Sequence, residues 1–320
     1  MSIPTRSLCY DSPMECAAIV NFCSNDARFL APCIEQLKKA VSTIIFVVAD
    51  HFFDQTKEDL DLLYQLFSEK EDVHTIFYPL SSCLLPKTSP KDEKHLWASI
   101  SRTIGFGFLP KNTTHAFFLD VDEIPDGERL REEIEEKRLL SYDFAELGCY
   151  WYFRETKYQA TTWEATPLFA KKSHLAKKQI LHKDERLGTF REGKGKKYSP
   201  FLGKDEKPLF HHYSWVRSKE EMEKKVVRWG HAQDRDWLPL VTQEFAHPFQ
   251  GKDFVHGYSF TEIPPLVTLK EPILGPLNKD LPTHLSKKEA YALLYYPYFF
   301  YPKSLKEKIS LAENHFSKRS

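Results

Sequence analysis

Four short apolar runs, separated by stretches of helical periodicity, limit the fold of this chain more than any other feature. They fall at 17–23, 43–49, 73–78 and 115–119. Each is short for a helix, rich in β-branched or aromatic residues and closed by turn formers, which predicts buried strands. After the first, Ser24-Asn25-Asp26 supplies a helix cap, and Phe29, Leu30, Cys33, Ile34 and Leu37 form a helical stripe. Thr56 is expected to cap a second helix with Leu60, Leu63, Leu66 and Phe67 on one face. A Ser- and Pro-rich loop at 80–90 precedes a third helix over 92–108. The order β-α-β-α-β-α-β predicts an α/β fold with a parallel, doubly wound sheet and right-handed crossovers.

The fourth run ends in Asp120-Val121-Asp122-Glu123, and Pro125 and Gly127 then break the chain. The carboxyl edge of an open α/β sheet is where ligands bind. Side chains alternate along a strand, so Asp120 and Asp122 are expected to face the same way, and two like charges beside an apolar strand repel. A divalent cation removes that conflict. Hard oxygen ligands suit Mg²⁺ or Mn²⁺, ions that usually also hold substrate phosphates. A solvated acidic turn, with Asp126 capping a helix, fits the same residues.

With 42% hydrophobic and 28% charged residues, the 320-residue chain reads as globular. Lys+Arg and Asp+Glu are both 45, a balance that argues against a general nucleic-acid binder. The 6 Cys include no C-x-x-C pair, residues 1–13 lack the apolar core of a secretory signal, and the longest apolar run, 44–49, cannot span a bilayer. The expectation is a cytoplasmic protein, with peripheral contact at the inner face of a membrane as an option for its C-terminal end.

After Gly127 the character changes. A charged helix is expected over 128–140, an aromatic strand over 143–153 and another strand over 163–170. The aromatic run 150–153 is either core or a sugar platform. The lysines of 171–183 form either a solvated face or a phosphate clamp, and 187–208 reads as a mobile loop. Ser218-x-x-Glu221 is a capping box, opening a helix with Met222, Val226 and Trp229 inward. Residues 239–282 are Pro-rich and irregular. Ser286-x-x-Glu289 opens a last helix, and the aromatics of 295–301 either pack on the core or, with Lys303, Lys306 and Lys308, touch a membrane.

Two further groups carry possible chemistry. Asp50 ends the second strand, where it is either a nucleotide contact or a turn cap. His211-His212 precede Tyr213-Ser214-Trp215, either as metal or phosphate contacts or as two ordinary histidines beside a core tryptophan.

In order along the chain, these pieces resemble GT-A glycosyltransferases. The run 117–125, FFLDVDEIP, resembles their D-x-D strand, and 17–37, 46–56 and 101–108 resemble the first strand and helix, the second strand and the Arg-containing helix of the family 2 type. The stretch 211–231 is similar to a His-x-Ser-Trp segment in family 17 N-acetylglucosaminyltransferases. The resemblance implies a GT-A domain over 16–260, with a nucleotide-binding half at 16–130 and an acceptor half at 131–260. A lead-in at 1–15 and a helical extension at 261–320 flank it. It implies a metal-dependent, inverting hexosyl- or N-acetylhexosaminyltransferase that uses a UDP- or GDP-sugar donor and a glycan or lipid-linked acceptor. Asn21, Asn25, Asp50, Arg102 and Asp120 would bind the nucleotide. Asp120, Asp122, His211 and His212 would hold Mn²⁺ or Mg²⁺. Inversion needs a carboxylate base, for which Glu155, Glu164, Asp234 and Asp236 are candidates.

Two other functions fit parts of the pattern. One is a phosphatase of the haloacid dehalogenase type, whose strand also ends in D-x-D, although Glu123-Ile124 and the late position argue against it. The other is a GT-A-like binding module without catalysis.

Overall fold

The computed structural model describes residues 15–68, 70, 72–86, 90–228, 232 and 234–317. Most of the expected lead-in and Trp229 lie outside them. The first half follows the expected alternation: β1 (Glu15–Phe22), α1 (Ala27–Leu37), β2 (Thr43–Ala49), α2 (Leu60–Phe67), β3 (His74–Tyr78), α3 (Pro90–Gly107) and β4 (Thr113–Asp120). Then come β5 (Glu123–Pro125), α4 (Gly127–Glu135), β6 (Phe144–Phe153), β7 (Glu155–Lys171), α5 (Lys177–Ile180), α6 (Glu185–Glu192), β8 (Lys197–Phe201) and β9 (Phe210–Trp215). The chain continues through α7 (Lys219–Arg228), α8 (Trp237–Glu244), β10 (Phe260–Glu262), β11 (Thr283–His284), α9 (Lys287–Tyr295) and α10 (Lys303–Ser317).

These strands form one mixed sheet in the order β11-β3-β2-β1-β4-β7-β6-β9-β5, with β10 on β7 and β8 on β6. From β3 to β4 the pairing is parallel. The chain steps outward from β1 to β2 to β3, then returns to place β4 on the other side of β1. That reversal opens a crevice at the carboxyl ends of β1 and β4, where Asn21 pairs in register with Asp120. Beyond β4 the sheet turns antiparallel through β7 and β6.

Strand alternation divides the core. Ala18, Val20 and Phe22 of β1 face α1 and α2 through Phe29, Leu30, Leu63 and Phe67. Ala17 and Ile19 face α3, α9 and α10 through Ile100, Ile104, Leu293 and Ile309. Helices therefore cover both faces, as two-sided burial of a parallel sheet requires. A third cluster under the β6–β7 hairpin gathers Trp151, Phe153, Trp215, Met222, Val226 and Trp237.

Several local expectations change. Asp59, not Thr56, caps α2, accepting from Leu62 N at 3.0 Å. Residues 187–208 contain most of α6 and all of β8 instead of a loop, because Gly188 and Gly193 admit close neighbours where a Cβ would strike His182 and Phe144. The aromatic run 295–301 splits. Tyr295 donates to Leu84 O at 2.6 Å and Tyr301 is buried, while Tyr296, Tyr298, Phe299 and Phe300 point outward.

Candidate functional site

The crevice widens into a cleft of about 620 Å³, lined from β1, β4, β7 and β9 and from the loops that follow β2 and α7. Asn21, Asn25, Asp120, Asp122, Glu164, His212 and Asp234 all border it. Among the described residues no helix is long and apolar enough to cross a membrane.

Asp120 and Asp122 have different surroundings because β4 stops at Asp120 and the chain turns at 121–122. The alternation expected to aim both acids alike is absent. Asp120 Oδ1 accepts from Arg102 Nη2 at 2.8 Å and from Asn21 Nδ2 at 3.1 Å, and its Oδ2 lies 3.3 Å from Arg186 Nη2. Arg186 also pairs with both oxygens of fully buried Glu123, and Arg102, 2% exposed, pairs with Glu185 at 2.7 Å. Despite burial, the two guanidiniums hold the Asp120 carboxyl well below the usual carboxylate range. Both its oxygens thus face protein cations, and the residue borders the cleft.

Asp122 is 5% exposed, and its Oδ1 is buried without a hydrogen-bond partner. Burial raises its pKa, and Asp26 and Asp120 add to the rise against His212. His212 Nε2 lies 3.7 Å from Asp122 Oδ1, brought there by β5–β9 pairing, in which Tyr213 N donates to Asp122 O at 2.8 Å. Arg217 stands 4.0 Å from Asp122 Oδ2, anchored by Asp26, by Asn25 O at 2.8 Å and by Ser214 O at 2.8 Å. Lys225 and Arg228 reach the cleft from α7, which also buries Met222 and Val226. Burial, and then Arg217, push the Lys225 ammonium down.

Other candidates separate by geometry. His211 faces away from His212, as neighbours on a strand must. It is buried, 2.7 Å from Tyr152 Oη, with its pKa driven down to about 3 by burial, which is the ordinary-histidine alternative. Arg102 acts behind Asp120 and does not border the cleft. Asp50 turns its carboxylate to Leu80 N at 2.6 Å and His51 Nδ1 at 2.7 Å, which is the turn-cap alternative. Glu58, absent from the expected set, borders the cleft near Phe52 and Phe53, with both oxygens on Ser24. Glu155 is exposed beside Lys157 and lies off the cleft, as does Asp236 at the start of α8. Glu164 accepts from Tyr258 Oη at 2.7 Å, next to the edge-on rings of Trp151 and His256.

Sequence reasoning missed Arg186, Arg217 and Lys225. Arg186 lies between the lysines of 171–183 and the stretch 187–208 read as a loop, where no element was expected. The signal for Arg217 and Lys225 was present: Arg217 immediately precedes a capping box, and Lys225 and Arg228 are three apart on that helix.

Among the described residues no group of three or more His, Cys, Asp or Glu side chains is arranged to hold an ion. Asp122 and His212 nevertheless provide an unpartnered buried oxygen and an imidazole. Mg²⁺ and Mn²⁺ commonly take one or two protein ligands and complete their shell with phosphates and water, so these two residues fit such an ion.

No protein-family model matches the chain, and no curated protein sequence matches it. Among solved structures, residues 1–349 of S. aureus TarS in complex with UDP-GlcNAc are similar at 13% identity and a TM-score of 0.39, over 67% of this chain and 66% of that one. The glycosyltransferase GlyE of Streptococcus pneumoniae TIGR4 is similar at 12% identity and a TM-score of 0.36, over 74% and 66%. A 4-diphosphocytidyl-2C-methyl-D-erythritol synthase of Anaerococcus prevotii DSM 20548 is similar at 10% and 0.30, over 50% and 71%. This chain thus spans about two thirds of the first two. At such scores the likenesses carry no argument.

Proposed function

We propose that this chain is a glycosyltransferase that binds a nucleoside-diphosphate sugar in the β1–β4 crevice and passes the sugar to an acceptor hydroxyl. The observation that carries the reading is Asp122, a nearly buried carboxylate with one unpartnered oxygen, surrounded by His212, Arg217 and Lys225. A carboxylate beside cations at the carboxyl edge of an α/β sheet suits a diphosphate carried with a divalent ion.

In this reading Asp122 and His212 hold Mn²⁺ or Mg²⁺, which when bound offsets negative charge on the diphosphate. Arg217, Lys225 and Arg228 complement the phosphate oxygens. Phe52 and Phe53 supply an apolar wall for the base, and Glu58 a polar group beside it. Trp151, Trp215, Trp237 and His256 line the other side, an aromatic surface suited to a sugar acceptor. Glu164 and Asp234 both border the cleft, and we assign the acceptor proton in an inverting transfer to Glu164, which Tyr258 and the neighbouring Trp151 and His256 rings place on the aromatic side.

The test is titration calorimetry with UDP, GDP and CMP in the presence and absence of Mn²⁺, followed by release assays on the matching nucleotide sugars. The expected result is one diphosphate bound with Mn²⁺ dependence. Asp122→Ala then weakens that binding about 100-fold or more while the circular dichroism spectrum is unchanged. Unchanged affinity in Asp122→Ala removes the metal assignment, and binding without sugar release turns the reading into that of a binding module.

A further inference from the structure

Away from the cleft, the turn between α9 and α10 breaks the usual division of apolar and polar residues. The apolar sides of these helices are already used: Leu293, Leu294, Leu305 and Ile309 pack in the core with Ile104 and Phe108. The turn still presents Tyr298, Phe299 and Phe300 at 58%, 80% and 67% exposure, with Tyr296 and Tyr291 exposed beside them. Leaving two phenylalanine rings in water forfeits the transfer free energy that nearly every other Phe here gains. The turn is firmly held. Phe300 N and Tyr301 N close it on Pro297 O and Tyr298 O at 3.0 and 3.1 Å, and buried Tyr301 receives a hydrogen bond from Lys177.

The charge around these rings is mainly positive. Residues 287–308 contain Lys287, Lys288, Lys303, Lys306 and Lys308 against Glu289 and Glu307, and exposed Glu307 pairs with Lys303 at 3.7 Å. Glu289 is buried, committed to Ser286 and to Lys308 at 2.8 and 2.9 Å. Lys306 donates to Phe299 O at 3.0 Å and lies over the Tyr298 and Phe299 rings, so its charge sits at the base of the aromatic tip. Lys287, Lys288, Tyr291, Tyr296 and Phe300 line a groove of about 330 Å³. Phenylalanine at the tip, tyrosines behind it and lysines around the rim match the layering of a bilayer interface: acyl chain, headgroup boundary and anionic surface.

We propose that this turn is a membrane-docking site that inserts Phe299 and Phe300 among acyl chains while Lys287, Lys288, Lys303 and Lys306 contact anionic headgroups. Aromatic insertion or lysine attraction alone holds a protein weakly, and the two together give reversible peripheral attachment. The site acts independently of the glycosyl-transfer reading, because none of its residues borders the cleft.

The test is co-sedimentation of the full chain with phosphatidylcholine vesicles, with and without phosphatidylglycerol. Binding is expected to the anionic vesicles and to weaken as salt rises. Phe299→Ser/Phe300→Ser lowers the partition coefficient about ten-fold or more. Lys287→Glu/Lys288→Glu lowers it by a similar factor on anionic vesicles, with little effect on neutral ones. Both pairs are exposed, so unchanged melting curves show that the fold is intact. No binding to anionic vesicles, or binding that the serine pair leaves unchanged, overturns the proposal. So does a concentration-dependent dimer that the serine pair abolishes in a chain that ignores vesicles, since the patch is then a protein interface.

Discussion

At the β4 side of the cleft, Asp120 is held by Arg102, Arg186 and Asn21, and Glu123 behind it by Arg186 again. Two residues later, at the β9 side, Asp122 keeps an unpartnered oxygen and is buried, whereas the Asp120 side chain is 36% exposed. Similar acids in one short turn thus have different electrostatic surroundings: one accepts from two guanidiniums, while the other has His212 at 3.7 Å and Arg217 at 4.0 Å and keeps one oxygen without a hydrogen bond. The difference arises because β4 ends at Asp120, so the acids enter different layers. A paired carboxylate contributes to stability, whereas an unsatisfied one costs stability and is retained where binding supplies the missing partner.

The largest expected break in this contrast is Arg102→Ala. It removes a buried guanidinium and leaves Asp120 and Glu185 without a shared cation. Urea unfolding should show a loss of about 3 kcal/mol. A loss under about 1 kcal/mol would mean that Arg186 alone neutralises the β4 side.

The next contrast sets His211 against His212 on one strand. Burial drives the His211 pKa down to about 3, and those of His74 and His115 to about 4. Their folded values lie below the unfolded value of about 6.5, so their stability contribution is fully present above that pH. It is lost progressively as pH falls from about 6.5 towards 3. Replacing His211 with Gln should remove about 2 kcal/mol of the acid loss measured between about pH 6.5 and 4.5. An unaltered acid limb would place the titration elsewhere.

Closer to the comparison are two conservative changes with opposite expected signs. Asp120→Asn strips charge from a carboxylate that two arginines need, and should destabilise by about 1–2 kcal/mol. Asp122→Asn relieves a buried, under-satisfied charge, and should leave stability unchanged or raise it by up to about 1 kcal/mol while weakening diphosphate binding. Equal destabilisation by both, measured by thermal and urea unfolding, breaks the contrast.

The parallel half of the fold was legible because its signals are local: strands buried on both faces read as apolar runs, and Asn25-Asp26 and Ser286 sit where helices begin. The acidic turn was legible as a place but not as a set of roles. Which acid is neutralised depends on Arg186, which arrives from 66 residues away along the chain. Pairing at that separation leaves no periodic trace. The same holds for Glu58, which borders the cleft where Asp50 was expected, because the loop after β2 folds Asp50 onto Leu80. The segment 187–208 was misread because glycines and lysines resemble a loop, whereas here the glycines admit close packing between α6, α5 and β6.

The smallest effect is expected from Ser218→Ala, and it sharpens the account of the β9 side. Ser218 Oγ accepts from Glu221 N at 3.2 Å, and Glu221 in turn accepts from Ser218 N at 2.7 Å and from Arg28 at 2.6 Å. This box starts the helix that carries Lys225 and Arg228 into the cleft. Loss of the hydroxyl should cost about 1 kcal/mol or less, since Glu221 keeps its other two donors. Diphosphate affinity should fall only about two-fold, because Met222 and Val226 still fix the helix on the core. A fall of ten-fold or more would mean that the capping box, and not that apolar contact, sets where the α7 cations stand. The β9 side would then depend on a single exposed hydrogen bond, while the β4 side rests on buried ion pairs.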